Sequence, residues 1–374
     1  MKTARHRYRF YPTKEQAQQL AETFGCVRYT WNWALARRRN AYAEENRSIP
    51  LAELQKAYNC MKRTEEAPWL REVSSRPLLY ALRHLDKAYN AFFKKQNRFP
   101  RFKRKGNRQS ASYTVEGFSM IGTTDYSRPS IKLAKQKHPL NIRWSRPLPS
   151  TPKTLTVIRE PDGRYYISFV VEIDPKPLPK TKAAVGIDLG LTDVYVTSDG
   201  YHSGNPRHTR RTQEKLARAQ RVLSRRVKGS GRWHRQRMKV AALHRRVRDQ
   251  RADFLHKASL NLVRKYDELC LEDLNIRGMV RTNLAKSISD AGWGQFVQML
   301  EYKANWYGKR VVKVDRWYPS SKTCSTCGHV VGKLPLSIRK WTCPTCSMEH
   351  QRDVNAAINI RTVGQAALMC VEAG

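Results

Sequence analysis

Residues 183–197 read AAVGIDLGLTDVYVT, and Ser198-Asp199-Gly200 follows. An apolar run, a glycine-containing turn and a second apolar run spell two short strands. One residue breaks the first run: Asp188, set between Ile187 and Leu189. A carboxylate inside a buried strand is costly unless a partner or a metal compensates it. Downstream, residues 268–275 (ELCLEDLN) read as another strand, with Glu272 at its end. A helix is expected over 291–307, with Trp293, Phe296, Leu300 and Trp306 inside, and a further strand over 310–314. Gln351-Arg352-Asp353 opens a terminal helix. Strand, turn, strand, long insertion, strand, helix, strand, helix is the order of an α/β domain.

The long insertion is strongly basic. Residues 206–251 hold 17 Lys and Arg against only Glu214 and Asp249. Gly229-Ser230-Gly231 separates two amphipathic patterns, one with Leu216, Leu223 and Val227, the other with Val240, Leu243 and Val247. That imbalance is too lopsided for a salt-bridged solvated face and points to phosphates, with Arg210, Arg211, Arg225 and Arg226 as expected contacts. The whole chain repeats the theme. It has 374 residues, 71 Lys and Arg against 31 Asp and Glu, hence a net charge of 71 − 31 = +40. Hydrophobic residues at 40% and aromatics at 10% are enough to form real cores, which excludes a disordered basic tail. Self-repulsion at this charge opposes folding unless a polyanion offsets it. No apolar run approaches the roughly 20 residues that span a bilayer. The N-terminal MKTARHRYRFYP lacks the apolar stretch of a secretory leader. A cytoplasmic protein, on the nucleoid when bound to DNA and without a membrane partner, is expected.

Upstream, residues 2–10 read as a basic strand. A helix starts after Pro12, with Thr13 as N-cap and Gln16 closing a capping box. A second helix is expected over 27–45 and a third from Ser75, where Leu78, Leu82, Leu85, Tyr89 and Phe92 recur at helical spacing. Residues 12–96 therefore read as a small helical bundle. The loop at 97–105, NRFPRFKRK, interleaves Arg98, Arg101, Lys103, Arg104 and Lys105 with Phe99 and Phe102. The cations suit phosphates, and the rings suit unpaired bases. From 113 to 173 the pattern turns to strands at 130–133, 140–144, 155–159 and 165–173, the last two joined by the hairpin signal Glu160-Pro161-Asp162-Gly163. A small β-barrel is expected, with the first strand joining it. Residues 174–179 form a stiff Pro-rich boundary.

Of eight cysteines, four are clustered: Cys324-Ser-Thr-Cys327 and, fifteen residues on, Cys343-Pro-Thr-Cys346. Two such knuckles can close one tetrahedron of thiolates, so a structural Zn²⁺ is expected. A closed four-thiolate site leaves no open position for catalysis. Chemistry is expected instead from Asp188, Glu272 and Asp353. Three convergent carboxylates can hold a pair of Mg²⁺ ions about 3.5–4 Å apart, the arrangement of two-metal phosphodiester hydrolysis. Asp193, Asp199 and Asp273 are better placed for turns or solvent.

GIDLG at 186–190, LEDLNI at 271–276, SISDAGWGQF at 287–296, YPSSKTCSTCG at 318–328, WTCPTC at 341–346 and RDVNAAINI at 352–360 together resemble the transposon-encoded TnpB proteins. These are relatives of the compact type V CRISPR nucleases. RFYPTKEQ at 9–16, WNWALARR at 31–38 and FPRFKRK at 99–105 extend the resemblance over nearly the whole chain. It implies a multi-domain α+β protein. Residues 1–11 and 106–180 would form a wedge β-barrel and 12–105 a helical recognition lobe. Residues 183–320 and 350–374 would form an RNase H-like (RuvC) nuclease domain, with a basic helical insertion at 206–265 and a zinc ribbon at 321–349. The implied activity is RNA-guided DNA cleavage beside a short flanking motif, with Asp188, Glu272 and Asp353 as the Mg²⁺ triad; Arg352, next to Asp353, is expected either at the scissile phosphate or in a surface ion pair. The implied partners are a guide RNA from the transposon end, bound by one protein, and double-stranded target DNA. Some relatives have lost the triad and only bind, which leaves a silent RNA-guided or zinc-ribbon regulator as the alternative reading, and an end-joining transposase as a third. The chain departs from many relatives in ending at Gly374, soon after the terminal helix.

Overall fold

The computed structural model describes residues 1–64, 67–121, 127–335 and 337–372, with residues 371 and 372 described by their backbone alone. Residues 65–66 of the expected helical lobe, 122–126 of the expected barrel segment, 336 of the expected zinc ribbon and 373–374 at the end lie outside the described residues. The architecture is mixed α/β, and the chain divides into two units, Met1–Asp174 and Pro175–Gly374.

The first unit opens with strand β1 (Lys2–Phe10), followed by helices α1 (Lys14–Glu45), α2 (Leu51–Arg63) and α3 (Ser75–Phe93). Thr13 and Gln16 form the expected reciprocal capping box at the start of α1. The helix then runs unbroken past Gly25, where two helices were expected. A glycine costs a helix interior only about 1 kcal/mol, and the buried stripe of Leu20, Phe24, Val27, Trp31, Ala34 and Leu35 spans it. Helix α2 was not anticipated. Its buried Leu54, Tyr58 and Met61 carry a helical spacing too short to stand out.

Strands β2 (Gln109–Thr114), β3 (Phe118–Ile121), β4 (Ser130–Leu133), β5 (Ile142–Arg143), β6 (Thr154–Arg159) and β7 (Tyr165–Ile173) complete the unit. Five of the seven form an antiparallel sheet in the order β2-β6-β7-β1-β5. The N-terminal strand does join it, between β7 and β5. Among the described residues, however, β2 and β5 do not pair, so the sheet is open rather than a closed barrel. Strands β3 and β4 form a separate ribbon. The hairpin between β6 and β7 turns at Gly163, whose φ of 83° suits glycine.

The second unit contains β8 (Ala184–Asp188), β9 (Val196–Thr197), α4 (His208–Ser224), α5 (Gly231–Lys265), β10 (Glu268–Glu272), α6 (Ile276–Met279), α7 (Ala285–Ala291), α8 (Trp293–Tyr307), β11 (Arg310–Val314), β12 (Lys340–Thr342), β13 (Glu349–Gln351) and α9 (Arg352–Glu372). The sheet order is β11-β10-β8-β9, with β8, β10 and β11 parallel and β9 antiparallel. One face packs on α5 and α8 through Val185, Ile187, Leu269, Leu271, Phe296 and Leu300. Against β8 and β10, α9 approaches unusually closely. A Cβ at Gly186 would lie 1.7 Å from the carbonyl oxygen of Ala357, and one at Gly364 would lie 2.5 Å from Cys270 Sγ. Only glycine permits this approach at Gly186, where the obstacle is backbone. The four cysteines lie in the β11–α9 connection, which also holds the hairpin β12–β13. No described helix is long and apolar enough to cross a membrane.

Candidate functional site

Asp188 is the last residue of β8 and Glu272 the last of β10. The strands are parallel, with Ile187 opposite Leu271, so the two carboxylates follow at adjacent strand ends. The sequence places Asp188 inside a strand, whereas it is the strand's last residue, still paired with Val196 of β9. Asp353 is the second residue of α9. The close packing at Gly186 seats this helix on β8, which brings the acid at its start to the same end of the sheet.

The electrostatics report the convergence. Burial, then the charges of Glu272 and Asp353, push the Asp188 carboxyl up to about 8, against the smaller opposing pull of Arg352 and Arg339. Burial also raises Glu272, although Ser320 Oγ donates to its Oε1. Like charges held together in a half-buried place raise one another's proton affinity. Asp353 accepts from Arg339 Nη1 at 3.1 and 3.3 Å, and Arg339 Nη2 lies 3.5 Å from Thr192 Oγ1. With Asp353 on Arg339 and Glu272 on Ser320, the three carboxylates do not close to within 4.8 Å of one another. Arg339 carried no sequence signal, because it sits in a loop remote in the chain from both acids that precede it.

The four cysteines do close. All four Sγ atoms lie within 4.8 Å of one another, and among the described residues they are the only such cluster of ligand atoms. Cys324 to Cys346 and Cys327 to Cys343 are each 3.6 Å apart. Burial raises Cys343, but hydrogen bonds from the backbone of Cys346 and Thr345 together with the Cys327 and Cys346 thiols hold it down at about 6, while Cys346, crowded by the other three thiols, is pushed up to about 12. The donor set therefore fits a thiophilic structural metal such as Zn²⁺. His350, which the sequence reading missed, places Nε2 3.0 Å from Cys324 Sγ, and its ring packs against Trp341. Burial keeps that imidazole neutral, so its N–H can steady a thiolate.

The RDVNAAINI motif fastens this module to the acids. Asn359 Nδ2 donates to the carbonyls of Ser320 and Thr323 at 2.8 and 2.6 Å, and Asn355 Nδ2 to Thr323 at 2.7 Å. Asn355 Oδ1 accepts from Ser325 N–H at 2.9 Å. Both asparagines are buried, four residues apart on one face of α9. Arg352 departs from its expected phosphate contact. Its side chain is buried and donates to the carbonyl of Pro335 at 2.7 Å, so here it braces the loop.

The expected nucleic-acid contacts divide. Arg98, Arg101, Arg104 and Lys105 in the first unit, and Arg210, Arg211, Arg225 and Arg226 in the second, are exposed. Lys103 is half-buried over the Trp31 ring, and burial lowers its ammonium to about 8. Lys103 and Arg104 line a cavity of about 880 Å³ in the first unit, together with Arg5 and Arg7 of the basic first strand and with Arg28 and Lys87, which carried no sequence signal. No carboxylate lines it. Four strands, two helices and the loop at 102–108, separated in sequence, build that basic hollow, which no linear window can reveal.

An electropositive α/β protein with clustered acids on one sheet end and a braced four-thiolate module beside them belongs to the class that works on nucleic acid. Residues 293–360 match the family described as "Cas12f1-like, TNB domain", residues 168–283 "Probable transposase" and residues 1–47 "Helix-turn-helix domain", although 1–47 here hold β1 and α1. A "Putative RNA-guided DNA endonuclease" of Streptomyces pristinaespiralis is 48% identical over 97% of this chain and 90% of its own length. Another so described, InsQ of Escherichia coli K12, is 31% identical over 98% of this chain and 93% of its own. The chain belongs to the TnpB/Cas12f-like family of transposon-associated, RNA-guided nucleases. A solved Cas12f1–sgRNA–target DNA complex aligns over 96% of this chain and 99% of its own at 14% identity, with a TM-score of 0.38, too slight a likeness to define the fold.

Proposed function

We propose that the chain is an RNA-guided DNA endonuclease that hydrolyses target DNA next to a short flanking motif. In this reading the second unit is a RuvC-like nuclease domain carrying a zinc ribbon, and the first supplies the recognition lobe and wedge. The observation that supports it most is the Asp188 carboxyl, pushed up to about 8 beside Glu272 and Asp353 at aligned strand ends. Such a perturbed cluster is characteristic of a catalytic site. Three hard oxygen donors with surplus negative charge fit Mg²⁺, which Asp188, Glu272 and Asp353 would hold. When bound, the metal supplies an activated water and a counter-charge for the leaving 3′ oxygen. Ser320 orients Glu272, and Arg339 must exchange Asp353 for another anion as the site fills. A backbone phosphate is an anion of suitable geometry for its guanidinium. The products would be 5′-phosphate and 3′-hydroxyl ends.

A second reading, a silent RNA-guided regulator, draws on the Arg339 pairing that occupies both Asp353 oxygens. One experiment separates the two. The protein is co-expressed with transposon-end RNA and challenged with a plasmid library of randomised flanks. Cleavage confined to one flank and lost in Asp188→Ala supports the nuclease. RNA-dependent binding without nicking, unchanged in Asp188→Ala, supports the regulator.

A further inference from the structure

Trp317 is 84% exposed, whereas no other tryptophan exceeds 37%. Leaving an indole in water forgoes a large apolar burial, so its position calls for a reason. The residue is firmly held. Asp315 Oδ1 accepts from the Trp317 backbone N–H at 2.7 Å, and the Asp315 carbonyl accepts from Tyr318 N–H at 3.1 Å. Arg316 on one side is paired with Asp273. Tyr318 on the other packs against Cys270, Val314 and Ile360. Among the described residues no aromatic ring or cation covers the indole.

Its place is specific. Val314, three residues earlier, is the register partner of Glu272, and Ser320, three residues later, donates to the Glu272 carboxylate. Three residues span at most roughly 10 Å. A bare indole on an anchored backbone therefore stands close to the sheet end that carries Asp188 and Glu272. A single ring is far smaller than the roughly 800 Å² per partner of a protein interface. It matches the π-face of a base, which duplex stacking hides and a single strand offers.

We propose that Trp317 is a stacking platform for an unpaired base of the DNA strand delivered to Asp188, Glu272 and Asp353. The inference rests on the nuclease reading for the strand's identity, while the stacking is measurable without cleavage. Stacking tolerates every base, so Trp317 adds grip without adding sequence preference. Arg316, 41% exposed on its side chain, stands beside the ring for the adjoining phosphate.

The test measures affinity of the full chain for a 20-nucleotide oligo-dT, its rU counterpart and a 20-base-pair duplex across a salt series. Trp317→Ala, Trp317→Leu and Trp317→Phe are compared in an Asp188→Ala background that leaves the strand intact. Charge sets the salt slope and stacking the intercept. Trp317→Ala is expected to weaken oligo-dT binding about 5- to 100-fold at unchanged slope, with Phe restoring it, Leu failing, and duplex affinity unaltered. A change under twofold, equal rescue by Leu, an equal loss on duplex, or a Trp317 dependence confined to rU would overturn the proposal. If Trp317→Ala weakens oligo-dT as expected while the Asp188→Ala protein still cuts as wild type does, the stacking stands and the nuclease assignment alone fails.

Discussion

At the scale of the residue, Asp188 is the group whose environment departs most usefully from that of a free side chain. Its folded carboxyl titrates near 8 against an ordinary 3.8. Between roughly pH 4 and 8 the folded, metal-free chain therefore retains a proton that the unfolded chain has lost. The stability this proton gives is complete below about pH 4 and is lost as pH rises to 8. Asp188→Asn removes that dependence, because an amide does not titrate. In chelated protein at pH 8, Asp188→Asn is expected to be more stable than wild type by several kcal/mol, up to about 5, with the gap closing toward pH 4. Added Mg²⁺ should raise the melting temperature of the wild type and leave that of the variant unmoved. Parallel melting curves across pH would show that Asp188 is neither buried nor crowded by Glu272 and Asp353 in solution.

At the scale of the element, the site depends on how closely α9 lies on β8. The obstacle a Cβ at Gly186 would meet is the backbone of Ala357, which cannot rotate away. Gly186→Ala is thus expected to cost about 3 kcal/mol or more and to move Asp353 off Asp188, read as lost Mg²⁺ stabilisation in whatever folded protein remains. Asn359→Ala tests the other side of the same helix. It leaves the carbonyl of Ser320 without its amide donor and that of Thr323 with Asn355 alone, and is expected to cost about 1–3 kcal/mol by denaturant titration, with zinc content unchanged. Loss of zinc in that variant would mean that the thiolate module does not hold itself together. These two predictions also mark what the chain's letters reveal. The four cysteines were legible because a CxxC pair is a local signal, and Asp188 and Glu272 stood out as charges inside and at the end of apolar runs, although Asp188 ends its strand rather than interrupting it. The capping box at Thr13 and the hairpin at Gly163 were legible for the same reason. Arg339, His350 and the basic hollow around Arg5 and Arg28 were not, since each acquires meaning only from a neighbour brought by the fold. The closed barrel failed on similar grounds: strand content can be read locally, whereas closure depends on which edges meet.

At the scale of the whole molecule, a charge of +40 must be borne somewhere that does not strain the core. Helix α4 is one solution, since none of its residues is buried. Its first turn is nevertheless anchored, because both Asp290 oxygens accept from Thr209 N–H at 3.0 and 3.1 Å and Arg251 donates to Asp290 at 3.2 Å. The helix can thus present cations without depending on them for its position. Replacing Arg210, Arg211, Arg225 and Arg226 together with Gln should leave the melting temperature nearly unchanged, as exposed substitutions far from packing usually do. If all four meet phosphates, the slope of log affinity against log salt for duplex DNA should become shallower by about 3.6, near 0.9 for each phosphate no longer neutralised. Affinity at low salt would fall steeply, while affinity extrapolated to about 1 M salt would barely move. A slope unchanged within about half a unit would assign these arginines to solvent and shift the polyanion surface to the basic cavity of the first unit. A slope that fell together with the melting temperature would show that α4 helps to hold the second unit together, and that its charge is incidental.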